Sequence, residues 1–123
     1  GVVIIACGPV LGYALAAADA LSAEGISACV INNPFVNCVD TETISSAVKA
    51  ADGKVITIED HQLICGMGAQ VAHALVQSGI PCRMKSLGIR GEFGRSAYKV
   101  EELYKAQGIY TTQIVEAARE LNR

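Results

Sequence analysis

The stretch from Lys54 to Gly79, KVITIEDHQLICGMGAQVAHALVQSG, constrains the fold of this chain more than any other. Its first part, Val55 to Ile58, is a short apolar run without alternation. Such a run is typical of a strand covered on both faces, and therefore of a parallel sheet. A helical pattern of apolar residues follows between Gly66 and Gly79. Strand, loop and helix together predict an α/β fold, with helices on both sides of the sheet.

Three further runs predict the remaining strands, at residues 2–6, 27–31 and 82–87. The last run alternates polar and apolar side chains, which favours the edge of the sheet. Between the runs we predict an Ala-rich helix whose buried stripe includes Leu15, and a helix capped by Asp40. A short helix at residues 100–106 and a last helix capped by Thr111 or Thr112 complete the chain. We expect residues 1–123 to form a single domain, a three-layer α/β/α sandwich with four recognisable strands.

Composition limits the classes of partner. A chain of 123 residues has the size of one domain, and its net charge of −2 gives no basic footprint for nucleic acid or acidic membranes. The sequence contains no apolar stretch as long as a membrane span and no basic-then-apolar signal segment. We therefore expect a soluble, cytoplasmic protein that binds neither nucleic acid nor membranes.

Charged residues follow the central predicted strand directly. Glu59, Asp60 and His61 lie at its carboxyl end, where open α/β sheets collect ligands and contacts. Parallel strands would bring the glycine-rich loop at residues 88–95 to the same edge. We predict one rim there, an interface or anion-binding surface, with Glu59, Asp60, His61, Gly66, Gly68, Arg90, Arg95 and Ser96 as its candidate residues.

Three interpretations of this rim remain open. It is a contact surface for other domains, a regulatory anion site at the helix start between Gly66 and Gly68, or ordinary solvated surface. Glycine at a helix start fits an anion site, but it fits close packing of the helix on a strand equally well.

Catalytic chemistry has little support in the residues. His61 and Cys65 are four residues apart in a loop without a clear third group to orient them, and the two histidines, His61 and His73, have no recognised metal-ligand spacing. His73 falls on the polar face of its helix.

The five cysteines contain no C-x-x-C, so we predict buried thiols and no disulfide, with Cys65 the most reactive. We expect no catalytic, cofactor-binding or metal residue in this chain.

Several motifs resemble the C-terminal domain of transketolases. Val55 to His61 followed by Gly66-Met67-Gly68 is similar to the family's V-x-V-E-D-H and G-G-x-G stretch. The other matches occur in the family's order and cover nearly the whole chain. They are Gly8 to Ala18 for the first strand–helix turn, Val39-Asp40 with Ile44 for P-L-D…I, Phe93 to Ala97 for F-G-x-S-A, and Glu102-Leu103 with Gly108-Ile109 for the closing signature.

Two positions depart from the family pattern. Cys38 stands where the family usually has proline, and Cys65 replaces the first glycine of the doublet. Deoxyxylulose-phosphate synthase and the β subunits of 2-oxo-acid dehydrogenases resemble this chain too, which makes a partner-docking or regulatory module of such an enzyme the alternative. The intact Glu59-Asp60-His61 favours transketolase.

The resemblance implies a complete enzyme of several hundred residues that transfers a two-carbon ketol unit from a ketose phosphate to an aldose phosphate. Thiamine diphosphate and Mg²⁺ or Ca²⁺ would carry the chemistry, bound between two preceding domains of paired subunits that lie outside this chain. A homodimer is implied, and this chain alone would be inactive. The family's sheet has five strands, one of them antiparallel, so we expect four to five strands here, most of them parallel.

Overall fold

Strands and helices alternate along the chain, as a parallel sheet requires. The computed structural model describes residues 1–33, 39–63, 65–89, 100–106 and 108–123, with the backbone only at residues 61, 62, 100, 101 and 103. The strands are β1 (Val2–Cys7), β2 (Ala28–Asn32), β3 (Lys54–Gln62) and β4 (Arg83–Ile89). The helices are α1 (Leu11–Ala23), α2 (Thr41–Ala50), α3 (Met67–Gln77), α4 (Val100–Ala106) and α5 (Thr111–Leu121), and a 3₁₀ turn at Gly8–Val10 precedes α1.

The four strands lie in the order β2-β1-β3-β4, and every pair is parallel. The predicted central strand, β3, is confirmed as an internal strand, and β4 lies at an edge of the sheet that the described residues form. Cys7 at the end of β1 is paired with Glu59 of β3, so β3 continues beyond its neighbour. That extension stays paired with β4 through a register shift between Ile58 and Gln62. The antiparallel fifth strand implied by the resemblance is not among the described residues.

Two hydrophobic cores lie on opposite faces of the sheet. Alternate residues of β1 divide between them, since successive side chains of a strand point to opposite faces. Val2, Ile4 and Ala6 face the core beneath α1 and α5. Val3, Ile5 and Cys7 face the core beneath α2 and α3. The expected three-layer α/β/α sandwich is confirmed.

The prediction for Leu15 was wrong. The buried residues of α1 are Ala14, Ala17 and Leu21, whereas the Leu15 side chain is 52% exposed. A residue next to Ala14 is rotated by about 100° around the helix, and that rotation carries Leu15 to the outer side of α1. The error arose because α1 is apolar on nearly every side, so its composition does not mark the buried face.

The capping predictions had mixed outcomes. Asp40 caps α2 as predicted: its Oδ1 accepts a hydrogen bond from the Thr43 N–H at 3.2 Å. The predicted threonine cap of α5 was wrong, because Tyr110 occupies the N-cap position and makes no side-chain cap hydrogen bond. The Thr111 hydroxyl instead donates to the backbone carbonyl of Tyr13 at 3.3 Å. Thr111 therefore ties α5 to the first turn of α1.

Polar contacts fix the carboxyl end of α5 against the amino ends of two strands. Lys54 of β3 donates to the Asn122 Oδ1 at 3.1 Å, and Arg83 of β4 donates to the Leu121 carbonyl at 3.2 Å. The amino end of α5 therefore lies at the opposite, carboxyl edge of the sheet. The first turns of α1 and α3 lie at that edge too, because each of these helices follows a parallel strand.

Candidate functional site

Glu59 stands at the carboxyl end of β3 and is completely buried. Its Oε1 accepts a hydrogen bond from the Met67 N–H and its Oε2 one from the Gly68 N–H, both at 2.7 Å. These are the first N–H groups of α3, whose N-cap residue, Gly66, supplies no side-chain cap. A carboxylate that accepts two short N–H bonds at the positive end of a helix is strongly stabilised there. Glu59 thus joins the end of β3 to the start of α3.

Gly68 has no room for a side chain. A Cβ atom at this position would lie 2.5 Å from Thr57 Oγ1, 3.1 Å from Glu59 Oε2 and 3.2 Å from Ser86 Oγ. The hydroxyl groups of Thr57 and Ser86 are themselves hydrogen-bonded at 3.1 Å. Because only glycine lets α3 approach this closely, Gly68 explains how the backbone N–H reaches the Glu59 carboxylate. We call Thr57, Glu59, Gly68 and Ser86 the helix–strand junction.

Asp60 connects β3 to a different part of the molecule. Its Oδ2 accepts a hydrogen bond from the Tyr104 hydroxyl of α4 at 3.1 Å. Burial, followed by the neighbouring Asp60 carboxylate, raises the pKa of the Tyr104 hydroxyl. The phenol therefore stays protonated as a donor throughout the physiological pH range. Adjacent residues of β3 thus hold two different helices, Glu59 the start of α3 and Asp60 the middle of α4.

Three tyrosines pack together beside Asp60. The ring of Tyr13 meets the ring of Tyr104 edge-on, with the ring centroids 5.8 Å apart. The centroids of the Tyr13 and Tyr110 rings are 4.8 Å apart. The Lys105 Nζ lies 4.7 Å from the centroid of Tyr110, within range of a cation–π contact. Tyr13, Tyr104 and Tyr110 form the tyrosine cluster, and all three are half-buried. The carboxyl edge therefore presents aromatic, acidic and basic groups together.

The structure brings together only some residues of the predicted rim. Glu59, Gly66 and Gly68 meet at the start of α3, whereas Asp60 is bonded to α4. The backbone of His61 continues β3, and its side chain lies outside the described residues, as do Arg90, Arg95 and Ser96. The continuous rim stays a prediction.

Sequence reasoning missed Thr57, Ser86 and the tyrosine cluster. Thr57 carried the clearest signal, as the one polar residue inside the apolar run of β3, and it is fully buried. The tyrosines carried no local signal, because Tyr13 and Tyr104 are 91 positions apart in the printed sequence and meet only through the fold.

Comparison with known proteins identifies the family. The sequence model described as "Transketolase, C-terminal domain" matches residues 1–114. This chain belongs to that family. It is 40% identical over 119 residues to transketolase-like protein 2 from Bos taurus, and 35% identical over 120 residues to 1-deoxy-D-xylulose-5-phosphate synthase from Heliobacterium modesticaldum. The alignments cover 96% and 98% of this chain but only 18% of each relative.

A solved structure agrees with the family assignment. It is described as "Split gene transketolase, inactive beta4 tetramer" and matches with a TM-score of 0.89 at 31% identity. The match covers 98% of this chain and 38% of that one. The region similar to this chain is thus 18% of each of the two relatives and 38% of the solved structure's chain, which is shorter.

No group of three or more His, Cys, Asp or Glu side chains that could hold a metal ion occurs in the described ranges. Burial, and after it the charges of Glu59 and Asp60, raise the pKa of the Cys7 thiol. A thiol held protonated in this way is a poor nucleophile. Cys65, in contrast, is exposed just before Gly66, and its higher reactivity stays a prediction. The prediction of buried thiols was wrong for Cys29, which is exposed because β2 lies at an edge of the described sheet and is not fully covered.

His73 is exposed on α3, as its position on the polar face predicted. Within the part of the chain that the structure describes, no helix is both long enough and apolar enough to cross a membrane.

Proposed function

We propose that this chain is the C-terminal structural and assembly domain of a transketolase. The complete enzyme would transfer a two-carbon ketol unit from a ketose phosphate to an aldose phosphate in the cytoplasm. Thiamine diphosphate and Mg²⁺ or Ca²⁺ would be bound by other domains of that enzyme. The observation that carries this proposal is the family match over residues 1–114.

The helix–strand junction supports a structural role over binding of a free anion. The N–H groups of Met67 and Gly68 are the donors that an external anion would use at the start of α3. Both already donate to the Glu59 carboxylate at 2.7 Å, inside a completely buried site. An external phosphate would have to displace a carboxylate that is also negatively charged, and would leave that carboxylate buried and unpaired. We therefore assign the junction a structural role.

The carboxyl edge is the surface that we propose as the contact with neighbouring domains or a second subunit. Asp60 and the tyrosine cluster lie there, with Lys105 against the ring of Tyr110. Tyrosine is enriched at protein interfaces because it combines a large apolar ring with a polar end and little conformational freedom to lose. The other predicted rim residues, His61, Arg90, Arg95 and Ser96, would extend this contact. The similar solved structure is a tetramer, and its assembly supports a role of this kind.

A second candidate is a domain of 1-deoxy-D-xylulose-5-phosphate synthase. It is favoured by the 35% identity to that enzyme from Heliobacterium modesticaldum over 98% of this chain. The Glu59-Asp60-His61 sequence favours transketolase. A 2-oxo-acid dehydrogenase β subunit is the third related possibility, with this domain as a docking module.

Reconstitution tests the proposal. The protein that contains this chain and its cofactor-binding domains, on one polypeptide or two, is assayed with thiamine diphosphate and Mg²⁺. We expect ketol transfer from a ketose phosphate to an aldose phosphate, and no activity when this domain is omitted. A parallel assay replaces the ketose phosphate with pyruvate and uses a triose phosphate as acceptor. Release of CO₂ with formation of 1-deoxy-D-xylulose 5-phosphate there, and no ketol transfer in the first assay, would establish the second candidate. Full activity without this domain would contradict the assembly role.

A further inference from the structure

Asp60 and Tyr104 offer hydrogen-bond acceptors beside the rings of the tyrosine cluster. The Tyr104 hydroxyl gives its single proton to Asp60, at 3.1 Å, so its oxygen can only accept a bond from any further group. An ionised carboxylate such as that of Asp60 also only accepts. The face of a tyrosine ring carries partial negative charge and attracts cations. This part of the surface is therefore suited to a group that is positively charged and donates hydrogen bonds.

A cation of the chain itself already lies on this cluster. The Lys105 Nζ is 4.7 Å from the centroid of the Tyr110 ring. Glu102, which is exposed, comes three positions before Lys105 and so lies on the same side of α4. The contact of Lys105 with Tyr110 shows which chemical class the cluster holds, namely a cationic side chain over a tyrosine ring with carboxylates near by.

Charge is divided between the two edges of the sheet. Because α2 follows a parallel strand, its start lies at the carboxyl edge, and the exposed acidic side chains described at that edge are Asp40, Glu42 and Glu102, against the basic Lys105. The other basic side chains that the structure describes lie toward the amino edge, at the ends of α2 and α5 and the starts of β3 and β4: Lys49, Lys54, Arg83, Lys85, Arg119 and Arg123. Two copies that met through their carboxyl edges would bring these acidic groups together, which is unfavourable. A different surface with basic residues is the better match.

We propose that the tyrosine cluster and Asp60 bind an arginine side chain on the cofactor-binding part of the enzyme. A guanidinium group is planar, stacks on aromatic rings and carries several N–H donors, so it can contact the rings while it donates to the Asp60 carboxylate and the Tyr104 oxygen. Tyrosine and arginine are also the residues enriched at the energetic centres of interfaces. This arginine names the partner of the contact that we proposed for the carboxyl edge, and the inference rests on that proposal.

An arginine peptide tests the site on the 123-residue chain. N-acetyl-tetra-arginine amide is titrated at low ionic strength while NMR follows the ring resonances of Tyr13, Tyr104 and Tyr110. We expect saturable shifts of these resonances, and none with the corresponding tetraglutamate peptide. Shifts confined to resonances outside the cluster, or no shifts, would overturn the proposal.

Three variants locate the binding. Asp60→Asn keeps an oxygen for the Tyr104 hydroxyl but removes the charge, so we expect the dissociation constant of the arginine peptide to rise at least about fivefold. Lys105→Ala removes an exposed competing cation from the Tyr110 ring and should tighten binding. Glu116→Gln removes a charge from an exposed position in the middle of α5 and should leave the dissociation constant unchanged. Equal effects of Asp60→Asn and Glu116→Gln would overturn the proposal, as would weaker binding by Lys105→Ala.

Charge reversal in the assembled enzyme tests the choice of partner. With the cofactor-binding domains supplied as a separate polypeptide, Glu102→Arg should weaken their association with this chain at least about threefold, whereas Glu116→Arg should not. Unchanged association with full ketol transfer would overturn the arginine contact alone and leave the proposed function standing. Self-association of the chain that Glu102→Arg abolishes, seen by sedimentation velocity, would assign this edge to a second copy and overturn the proposal. A parent protein without ketol transfer would contradict the proposed function, whatever the arginine peptide binds.

Discussion

The start of α3 and the outer side of α1 differ in how much contact they make within the chain. At the start of α3, the two first N–H groups, the Glu59 carboxylate and the hydroxyls of Thr57 and Ser86 all find partners within the chain. On the outer side of α1, Leu15 is exposed, and a Cβ atom at Gly12 would meet open space among the described residues. The first region is held by contacts within the chain, whereas the second makes few such contacts among the described residues. Substitutions at the two regions should therefore behave differently.

Removal of the Glu59 carboxylate should have the largest effect. Glu59→Ala leaves the N–H groups of Met67 and Gly68 buried without their acceptors, so we expect the free energy of unfolding to fall by about 2 to 5 kcal/mol. Urea denaturation measures this. Glu42→Ala, at an exposed glutamate in the first turn of α2, is the control and should change stability by less than about 0.5 kcal/mol. A loss of less than about 1 kcal/mol for Glu59→Ala would show that the junction does not hold α3.

A methyl group at Gly68 should have the next largest effect. Gly68→Ala places a Cβ atom 2.5 Å from Thr57 Oγ1, so we expect a destabilisation of about 1 to 3 kcal/mol from overpacking. Thr57→Ala removes the obstructing hydroxyl. The double variant should therefore be less destabilised than the sum of the two single variants. Additive effects would contradict the proposed contact.

The contrast between Gly68 and Gly12 shows how far a sequence predicts a structure of this kind. The unalternated run of β3 and the spacing in α3 predicted the parallel sheet and its three layers, because period and length are local properties. The same sequence could not separate a glycine required for space from one that is not. That difference depends on Thr57 and Ser86 of neighbouring strands, which meet Gly68 only in the folded chain.

The sequence also did not predict how the charged residues at the carboxyl end of β3 are bonded within the chain. Three ionisable residues in a row at Glu59 predicted a charged rim, yet Glu59 turns inward to cap α3 and Asp60 accepts a bond from Tyr104. Leu15 shows the opposite error, since an apolar residue at helical spacing was predicted to be buried and is exposed. Apolar character alone does not indicate which residues of an apolar helix are buried.

Substitution of Gly12 should stabilise the isolated chain. Gly12→Ala adds a methyl group in open space in the first turn of α1 and restricts the unfolded chain, so we expect the free energy of unfolding to rise by about 0.4 to 1 kcal/mol. The measurement is urea denaturation at a protein concentration low enough to keep the chain monomeric. The matched change Gly68→Ala should have the opposite sign. A destabilised Gly12→Ala would reveal packing around α1 that the described residues do not show.

Substitution of Asp40 should have the smallest effect on stability, and that effect should depend on pH. Hydrogen bonds from Thr43 lower the pKa of this exposed cap below its usual value of 3.8. Its contribution to stability is therefore present above that value and is lost as the pH falls through the lowered pKa. Asp40→Asn keeps a capping oxygen that does not titrate. From about pH 6 to about pH 2.5, the variant's melting temperature should fall less than that of the parent chain. Equal falls would show that the Asp40 charge adds nothing to the cap.

The central claim is that this domain acts through structure and assembly, with the start of α3 satisfied from within. Backbone amide NMR of Met67 and Gly68 tests it most directly, during titration with inorganic phosphate and, separately, with thiamine diphosphate and Mg²⁺. We predict that neither amide resonance moves up to millimolar ligand, because both N–H groups already donate to Glu59. Saturable shifts of these two resonances would show an anion or cofactor site at the start of α3, and would contradict the account.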